Sequence, residues 1–236
     1  MRKLVNAIAP ILPASWAGQL DHRTRHIRNF FPYGGPMNGQ TARAEIVREL
    51  IEYCGVERII ETGTFRGTTT EWFAGFDLPV LSFEVMPRFA AFSRKRLKDF
   101  PKVRIEISNS VDGLKQITDD LSKVTLFYLD AHWYDYLPLR DEYLLIREKF
   151  PKAVIVIDDF KVPHDALYTY DDYGPDMALT LDYMQPAFDK APAIFFPAVP
   201  AKYETGQRRG CTVMTTNAEL AAIIAARIPL LRKWEA

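Results

Sequence analysis

The chain has 236 residues, 48% of them hydrophobic, and its 30 basic and 30 acidic side chains leave no formal net charge. This length and composition fit one α/β domain with a large buried core. The balanced charge predicts no broad positive surface for nucleic acid, and no apolar run approaches the ~20 residues that span a bilayer. Cys54 and Cys211 lie far apart in apolar patterns, which is typical of buried thiols in a reducing compartment and predicts a cytoplasmic protein.

Residues 1–39 are interpreted as a helical extension ahead of a domain that comprises residues 40–236. Apolar residues near the start share one helical face: Leu4, Ile8, Ile11 and Leu12. The basic first residues and the apolar stretch that ends at Ala17 also fit a short signal peptide. An asparagine and two prolines interrupt that stretch, so the packing helix is favoured.

From residue 40 the chain alternates between helical and strand patterns. Helices are predicted over residues 41–54, with Thr41 as N-cap, and over 88–100, 111–121, 139–150 and 217–227. Strands are predicted over residues 58–61, 79–83, 103–107, 124–129 and 153–157, followed by an antiparallel pair over 193–199 and 210–215. Strands rich in Val, Ile and Leu that alternate with helices favour a parallel sheet covered on both faces. We therefore expect a doubly wound, mostly parallel α/β sheet with an antiparallel last strand.

A glycine-containing turn follows the first predicted strand, where Glu61 to Gly67 read Glu-Thr-Gly-Thr-Phe-Arg-Gly. This pattern predicts a strand, a tight turn and a helix N-terminus whose free N–H groups face a ligand. Gly63 and Gly67 let the backbone approach that ligand, because a side chain would hold it off. Dinucleotide folds use Gly-x-Gly-x-x-Gly, whereas here Thr64 and its neighbours crowd a pyrophosphate. The stretch resembles the first motif of the class I S-adenosylmethionine (SAM) methyltransferases, whose cofactor has an amino-acid end and no phosphate.

Polar residues also follow the next two predicted strands, at the sheet edge where parallel sheets bind ligands. Glu84 ends the second strand, and a carboxylate there can accept hydrogen bonds from both hydroxyls of a ribose, in SAM and NAD alike. Asn109 and Ser110 follow the third strand, where an amide or hydroxyl can hold an adenine edge. A plain cap of the following helix explains this pair equally well.

Carboxylates follow the fourth and fifth predicted strands as well: Asp130, Asp158 and Asp159. Three carboxylates at the ends of adjacent strands suit Mg²⁺, which binds oxygen ligands and keeps several waters. A metal there would lower the pKa of an acceptor hydroxyl. Neighbouring residues in a strand point to opposite faces, so Asp158 and Asp159 share a metal only if the chain turns at that point. The alternative is that Asp158 caps the following loop.

Together these motifs resemble the metal-dependent small-molecule O-methyltransferases, chiefly the macrocin-type sugar enzymes and more distantly the catechol enzymes, over residues 40–216. The resemblance implies a Rossmann-like methyltransferase fold in which Glu61, Gly63 and Glu84 contact SAM. It also implies that the three aspartates coordinate Mg²⁺. The catechol enzymes carry a lysine base three positions after the first metal aspartate, where this chain has Trp133. The nearest group that can take a proton near neutral pH is His132, so His132 and Asp130 are the catalytic candidates.

We expect a SAM-dependent enzyme that methylates a hydroxyl of a small molecule with the assistance of Mg²⁺. The SAM-binding candidates are Glu61, Gly63, Thr64, Gly67, Glu84, Asn109, Ser110 and Asp130. Two alternatives stay open, namely a methyltransferase-fold protein that binds without catalysis and an NAD-dependent oxidoreductase. Residues 1–39 and the last helix are candidate contacts of a homodimer.

Overall fold

Strands and helices alternate along the computed structural model, which describes residues 12–24, 26–131, 136–189 and 191–235. The strands are β1 (Arg58–Thr62), β2 (Val80–Glu84), β3 (Val103–Ile107), β4 (Thr125–Leu129), β5 (Ala153–Asp158), β6 (Ala193–Pro197), β7 (Cys211–Thr215) and β8 (Leu231–Lys233). The helices are α1 (Ala14–Arg23), α2 (Ile27–Phe30), α3 (Thr41–Tyr53), α4 (Thr68–Ala74), α5 (Pro87–Arg96), α6 (Ser110–Gln116), α7 (Leu139–Lys149), α8 (Leu181–Met184) and α9 (Ala218–Arg227).

One sheet of eight strands has the order β3-β2-β1-β4-β5-β7-β6-β8. β1 to β5 are parallel, whereas β7 pairs antiparallel with both β5 and β6, and β8 pairs antiparallel with β6. The predicted doubly wound, mostly parallel α/β fold is therefore confirmed, as is the antiparallel pair of β6 and β7. The prediction that the helix at 217–227 closes the fold was wrong, because the edge strand β8 follows it.

Two hydrophobic cores lie on opposite faces of the sheet. On one face, α3, α4 and α9 pack through Leu50, Phe73 and Ile224 against strand residues such as Val156. On the other face, α6 and α7 pack through Leu114, Ile146 and their neighbours. Because strand side chains alternate between faces, the apolar strands supply both cores at once.

Helix α3 begins differently from the prediction. Thr41 was predicted as its N-cap, but Gln40 holds that position and its side chain makes no cap hydrogen bond. Instead, the buried carboxylate of Glu204 accepts hydrogen bonds from the backbone N–H groups of Ala42 and Arg43, each at 3.1 Å. An acidic group from a distant loop thus satisfies the free donors at this helix start and complements its dipole.

The described part of the N-terminal extension packs onto the domain. Helix α1 lies against α5 so closely that a Cβ on Gly18 would overlap the Arg88 carbonyl, and Asp21 pairs with Arg88 at 2.7 Å. Residues 32–39, which we call the strap, form two 3-10 turns in which Tyr33, Met37 and Asn38 adopt positive φ. The helix predicted from Leu4 to Leu12 lies outside the described residues, apart from Leu12. Among the described helices, none is long and apolar enough to cross a membrane.

Candidate functional site

The site lies where the sheet changes direction, between β1 and β4. Connections from β1 proceed toward β3, and those from β4 proceed toward β5, so a crevice opens beyond the strand ends. The backbone N–H of Asp130 donates to the Thr62 carbonyl at 3.0 Å, which holds the two strand ends together. Gly63 has φ of 88°, and a Cβ there would overlap the carbonyl oxygen of Asp130. Glycine is thus required by both conformation and space.

Two neighbouring cavities occupy this crevice. The central cavity has a volume of about 480 Å³ and the side pocket about 190 Å³. Gly63 and Glu84 line both of them. The central cavity is enclosed by the residues after β1, the aspartates after β4 and β5, the strap, and the ends of two loops at Tyr173 and Arg209.

The turn after β1 is built by backbone hydrogen bonds. The N–H groups of Gly63 and Thr64 both donate to the Phe83 carbonyl, at 3.0 and 3.1 Å. Gly67 adopts φ of 68° and forms the N-cap of α4, with its N–H donating to the Thr64 carbonyl at 2.8 Å. Gly63 and Thr64 line the central cavity, whereas Gly67 is not among its lining residues. Gly67 therefore shapes the turn from behind.

Glu84 stands between the two cavities and is almost fully buried. Its Oε2 accepts a hydrogen bond from the N–H of Phe65 at 2.6 Å, and its Oε1 accepts one from the N–H of Met86 at 2.7 Å. Burial raises the pKa of Glu84, and these two backbone donors lower it in part. Each carboxylate oxygen keeps a further lone pair, so Glu84 can still accept hydrogen bonds from a diol that enters the crevice.

Glu61 is not among the lining residues of either cavity. Its side chain is buried beside the sheet, where Oε2 accepts hydrogen bonds from Thr70 and Ser82, each at 2.5 Å. Burial is the main cause that raises the pKa of Glu61 to about 8, and the nearby Asp130 and Glu84 add to it. In this structure Glu61 fastens α4 to β1 and β2, and its contact with SAM stays a prediction.

Asn109 and Ser110 line the side pocket beside the apolar Phe83 and Val85. The Asn109 side chain also caps α6, because its Oδ1 accepts the N–H of Asp112 at 2.9 Å. The helix cap offered by the sequence is thus present, and the contact with an adenine edge stays a prediction for a residue that lines the pocket.

The carboxylate of Asp158, at the end of β5, is buried, and each of its two oxygens has a partner. Its Oδ1 forms an ion pair with the guanidinium of Arg43 and accepts the N–H of Asp159 at 2.8 Å. Its Oδ2 accepts the hydroxyl of Tyr128 at 2.8 Å. Arg43 is equally buried, and its Nη2 donates to the carbonyl oxygens of Arg209 and Gly210.

Asp159 is held by a second arginine. The chain turns sharply here, since Asp159 adopts φ of 52°, and its carboxylate points toward the cavity rather than along the strand. Its Oδ1 lies 3.0 Å from Nε of Arg209 and accepts a hydrogen bond from the Asn38 side chain at 3.2 Å. Arg209 also pairs with Asp171 through Nη2. Arg209 lies in the loop between β6 and β7, and the structure places it in the wall of the central cavity.

The donor set does not fit the Mg²⁺ site that the sequence predicts from Asp130, Asp158 and Asp159. Within the described residues, no group of three His, Cys, Asp or Glu side chains is placed to hold a metal ion. Oδ1 of Asp158 and Oδ1 of Asp159 each contact a guanidinium group, which stays protonated in proteins and repels a second cation. The chain does turn at Asp159, as a metal shared by Asp158 and Asp159 would require. The predicted ligands are nevertheless corrected, because Asp158 pairs with Arg43 and Asp159 pairs with Arg209.

Arg43 was missed by the sequence analysis, although a signal for it exists. Arg43 shares a helical face with Ile46, Val47 and Leu50, all of which are buried. A charged residue on a buried face needs a partner of opposite charge. The strap residues were missed for another reason, because their contacts depend on packing against residues far along the chain. His132, the predicted proton acceptor, lies outside the described residues.

No family model and no curated protein matches the chain. Solved structures do. The O-methyltransferase TomG of Streptomyces achromogenes, involved in tomaymycin synthesis and solved with SAM, is 16% identical over 87% of this chain and 90% of TomG, with a TM-score of 0.57. An O-methyltransferase from Bacillus cereus in complex with SAH is 16% identical over 90% of this chain and 96% of its own, with a TM-score of 0.56. SAM-bound CalS10, an amino pentose methyltransferase of Micromonospora echinaspora, is 14% identical over 76% and 93%, with a TM-score of 0.51. This chain therefore has the Rossmann-like fold of the class I SAM-dependent methyltransferases.

Proposed function

We propose that this chain is a SAM-dependent methyltransferase that acts on a hydroxyl group of a small molecule. The observation that carries the proposal is the position of Glu84, whose buried side chain lines both of two neighbouring cavities at the switch point of the sheet. A nucleoside cofactor that spans the two cavities would present its ribose to Glu84. SAM-bound and SAH-bound proteins of the same fold support this choice of cofactor.

The residues of the two cavities suit the two ends of SAM. In the side pocket, Phe83, Val85 and Pro138 offer apolar contact for a base, and Asn109 offers a polar group at its edge. In the central cavity, Gly63 leaves the backbone open to the amino-acid end. When bound, SAM supplies a methyl group attached to a positively charged sulfur.

Charge in the central cavity favours a neutral acceptor. Of the residues that the structure describes, five carboxylates and two arginines line it: Glu84, Asp130, Asp158, Asp159, Asp171, Arg66 and Arg209. An excess of carboxylates attracts a sulfonium and disfavours an anionic acceptor such as a phosphate or carboxylate. The acceptor oxygen must also lose its proton, and Asp130 and His132 stay our candidates for the group that takes it. Assistance by Mg²⁺ stays a prediction of the sequence alone, and the ion pairs of Asp158 and Asp159 argue against it.

Titration calorimetry of SAM and SAH into the purified chain tests the proposal. We expect micromolar binding, and we expect Glu84→Gln to weaken SAM at least about tenfold, because hydrogen bonds to a charged group contribute roughly 1.5–3 kcal/mol. The glutamine also places its NH₂ group opposite one of the two backbone N–H groups that now donate to Glu84, so one of these hydrogen bonds is lost. Glu219→Gln, on the exposed start of α9, is the matched control and should bind SAM as the wild type does.

Absence of heat with both SAM and SAH would refute the cofactor assignment and bring the nicotinamide alternative forward, for which NADH fluorescence is the check. Methyl transfer from labelled SAM to a panel of polyols and phenols then separates an enzyme from a protein that only binds SAM.

A further inference from the structure

We propose that this chain works without a divalent cation, because Arg43 and Arg209 stand where a metal would meet the carboxylates after β5, and that Arg209 positions the acceptor. The proposal rests on the proposed methyl transfer and specifies its acceptor side. The acids at the strand ends suit a metal, but in the fold Asp158 and Asp159 pair with arginines instead.

The position of Arg43 in the site is fixed by the helix that carries it and by the contacts of that helix. Helix α3 presents Arg43 from its first turn, and Glu204 fixes that turn through the N–H groups of Ala42 and Arg43. The guanidinium then bridges Asp158 and the Gly210 carbonyl, to which Nη2 donates at 2.9 Å. A cation bound at Oδ1 of Asp158 would have to displace a buried arginine from its carboxylate partner, and one bound at Oδ2 would lie beside that arginine's positive charge.

Arg209 is the arginine that an acceptor can reach. It is only partly buried, it lines the central cavity, and two carboxylates hold it: Asp159 at Nε and Asp171 at Nη2. Among the described residues, neither pair engages Nη1. Because a guanidinium is planar and carries five donors in a fixed geometry, anchoring two of its nitrogens fixes the direction of the third. Nη1 can therefore donate to an oxygen of the acceptor and orient it.

The transfer step balances without a metal. A bond forms between the acceptor oxygen and the methyl carbon, the bond between that carbon and sulfur breaks, and its electron pair stays on sulfur. The hydroxyl proton passes to a base of the cavity, for which Asp130 is our candidate. Arg209 takes no proton, since it stays charged throughout, so its contribution is position.

Direct metal binding is the first test, and it needs no acceptor. The chain is dialysed against EDTA, and Mn²⁺ and Mg²⁺ are titrated into it at up to millimolar concentration, followed by electron spin resonance and calorimetry. SAM binding is measured in parallel. We expect SAM to bind equally with and without EDTA and neither metal to bind stoichiometrically. Stoichiometric metal binding that Asp159→Asn removes would overturn the proposal, whereas loss of SAM binding would count against the proposed function instead.

Variants test the two arginines separately. Arg43→Gln should lower the melting temperature and acquire a response to Mg²⁺, because the freed Asp158 can now bind a cation, while the exposed control Arg104→Gln should show no such response. A folded Arg43→Gln protein that ignores Mg²⁺ would contradict the role given to Arg43. If that variant does not fold, the wild-type metal titration tests metal independence and Arg209→Gln tests the positioning of the acceptor.

Arg209→Gln should keep SAM affinity within about twofold and raise the KM of any methylated panel compound about tenfold, since Arg209 acts on the acceptor. An unchanged KM would refute the positioning role. For the same compound, a wild-type rate that EDTA lowers and Mg²⁺ restores would overturn metal independence.

Discussion

Asp158 illustrates what a single residue gains from its surroundings. From the sequence it is an acid at a strand end, interpreted either as a metal ligand or as a cap of the following loop. In the structure its two oxygens receive Arg43, Tyr128 and the Asp159 N–H, so a metal would have to compete with an ion pair and two hydrogen bonds. The type of residue was visible in the sequence, but its chemistry depends on partners that lie far along the chain.

Gly63 permits a sharp prediction at the same scale. Gly63→Ala should abolish SAM binding and lower the free energy of unfolding by several kcal/mol, because its Cβ would overlap the Asp130 carbonyl and its φ is positive. Gly55→Ala is the matched control. Gly55 also has positive φ, but its added Cβ meets nothing within 4 Å, so only the conformational cost of about 1–2 kcal/mol applies. Urea unfolding and calorimetry measure both variants. Equal losses in the two would mean that close packing at Gly63 has no role.

The strap is the element that the sequence analysis left without a function. Met37 is buried and its N–H donates to the Thr69 hydroxyl at 3.2 Å, while the Asn38 carbonyl accepts the N–H of Gln207 at 3.0 Å. The strap therefore joins the start of α4 to the loop that carries Arg209. The strap forms one wall of the central cavity. This part of the N-terminal extension therefore belongs to the site.

Ligand binding should therefore slow the motion of the strap. We expect the backbone amides of residues 34, 35 and 37–39 to exchange with deuterium several-fold more slowly when SAM or SAH is bound, because a ligand in the cavity restrains its wall. Hydrogen exchange followed by mass spectrometry measures this. The amides of β8, at the far edge of the sheet, serve as the internal control and should not change. A strap that exchanges equally fast with and without ligand would show that it does not contact the cofactor.

Glu61 links one buried carboxyl to the stability of the whole molecule. Its pKa is about 8 in the folded chain against 4.5 for an unperturbed side chain, mainly because of burial. Between these values the folded state binds more protons than the unfolded state, so stability falls as pH rises. The contribution is fully present below about pH 4.5 and is lost as pH passes about 8.

Glu61→Gln removes this titration while it keeps an acceptor for Thr70 and Ser82. Relative to this variant, the wild type should lose stability between pH values of about 4.5 and 8, by on the order of a few kcal/mol. Urea unfolding at a series of pH values gives the difference. Parallel curves for the two proteins would mean that Glu61 titrates normally in the folded state.

A homodimer through residues 1–39 and the last helix also stays a prediction at this scale, and light scattering is its test.

The sequence by itself determined the first five strands, the helices that alternate with them and the edge of the sheet at which a ligand binds. These features depend on local properties, namely the spacing of apolar residues, the glycine turn at Gly63 and the acids that end the strands. Only the tertiary structure decided that β7 lies between β5 and β6, that Glu204 caps α3, and that Arg43 and Arg209 hold the aspartates after β5. Those outcomes depend on which distant groups pack together once the core has formed, because a buried charge adopts the partner that the fold places beside it.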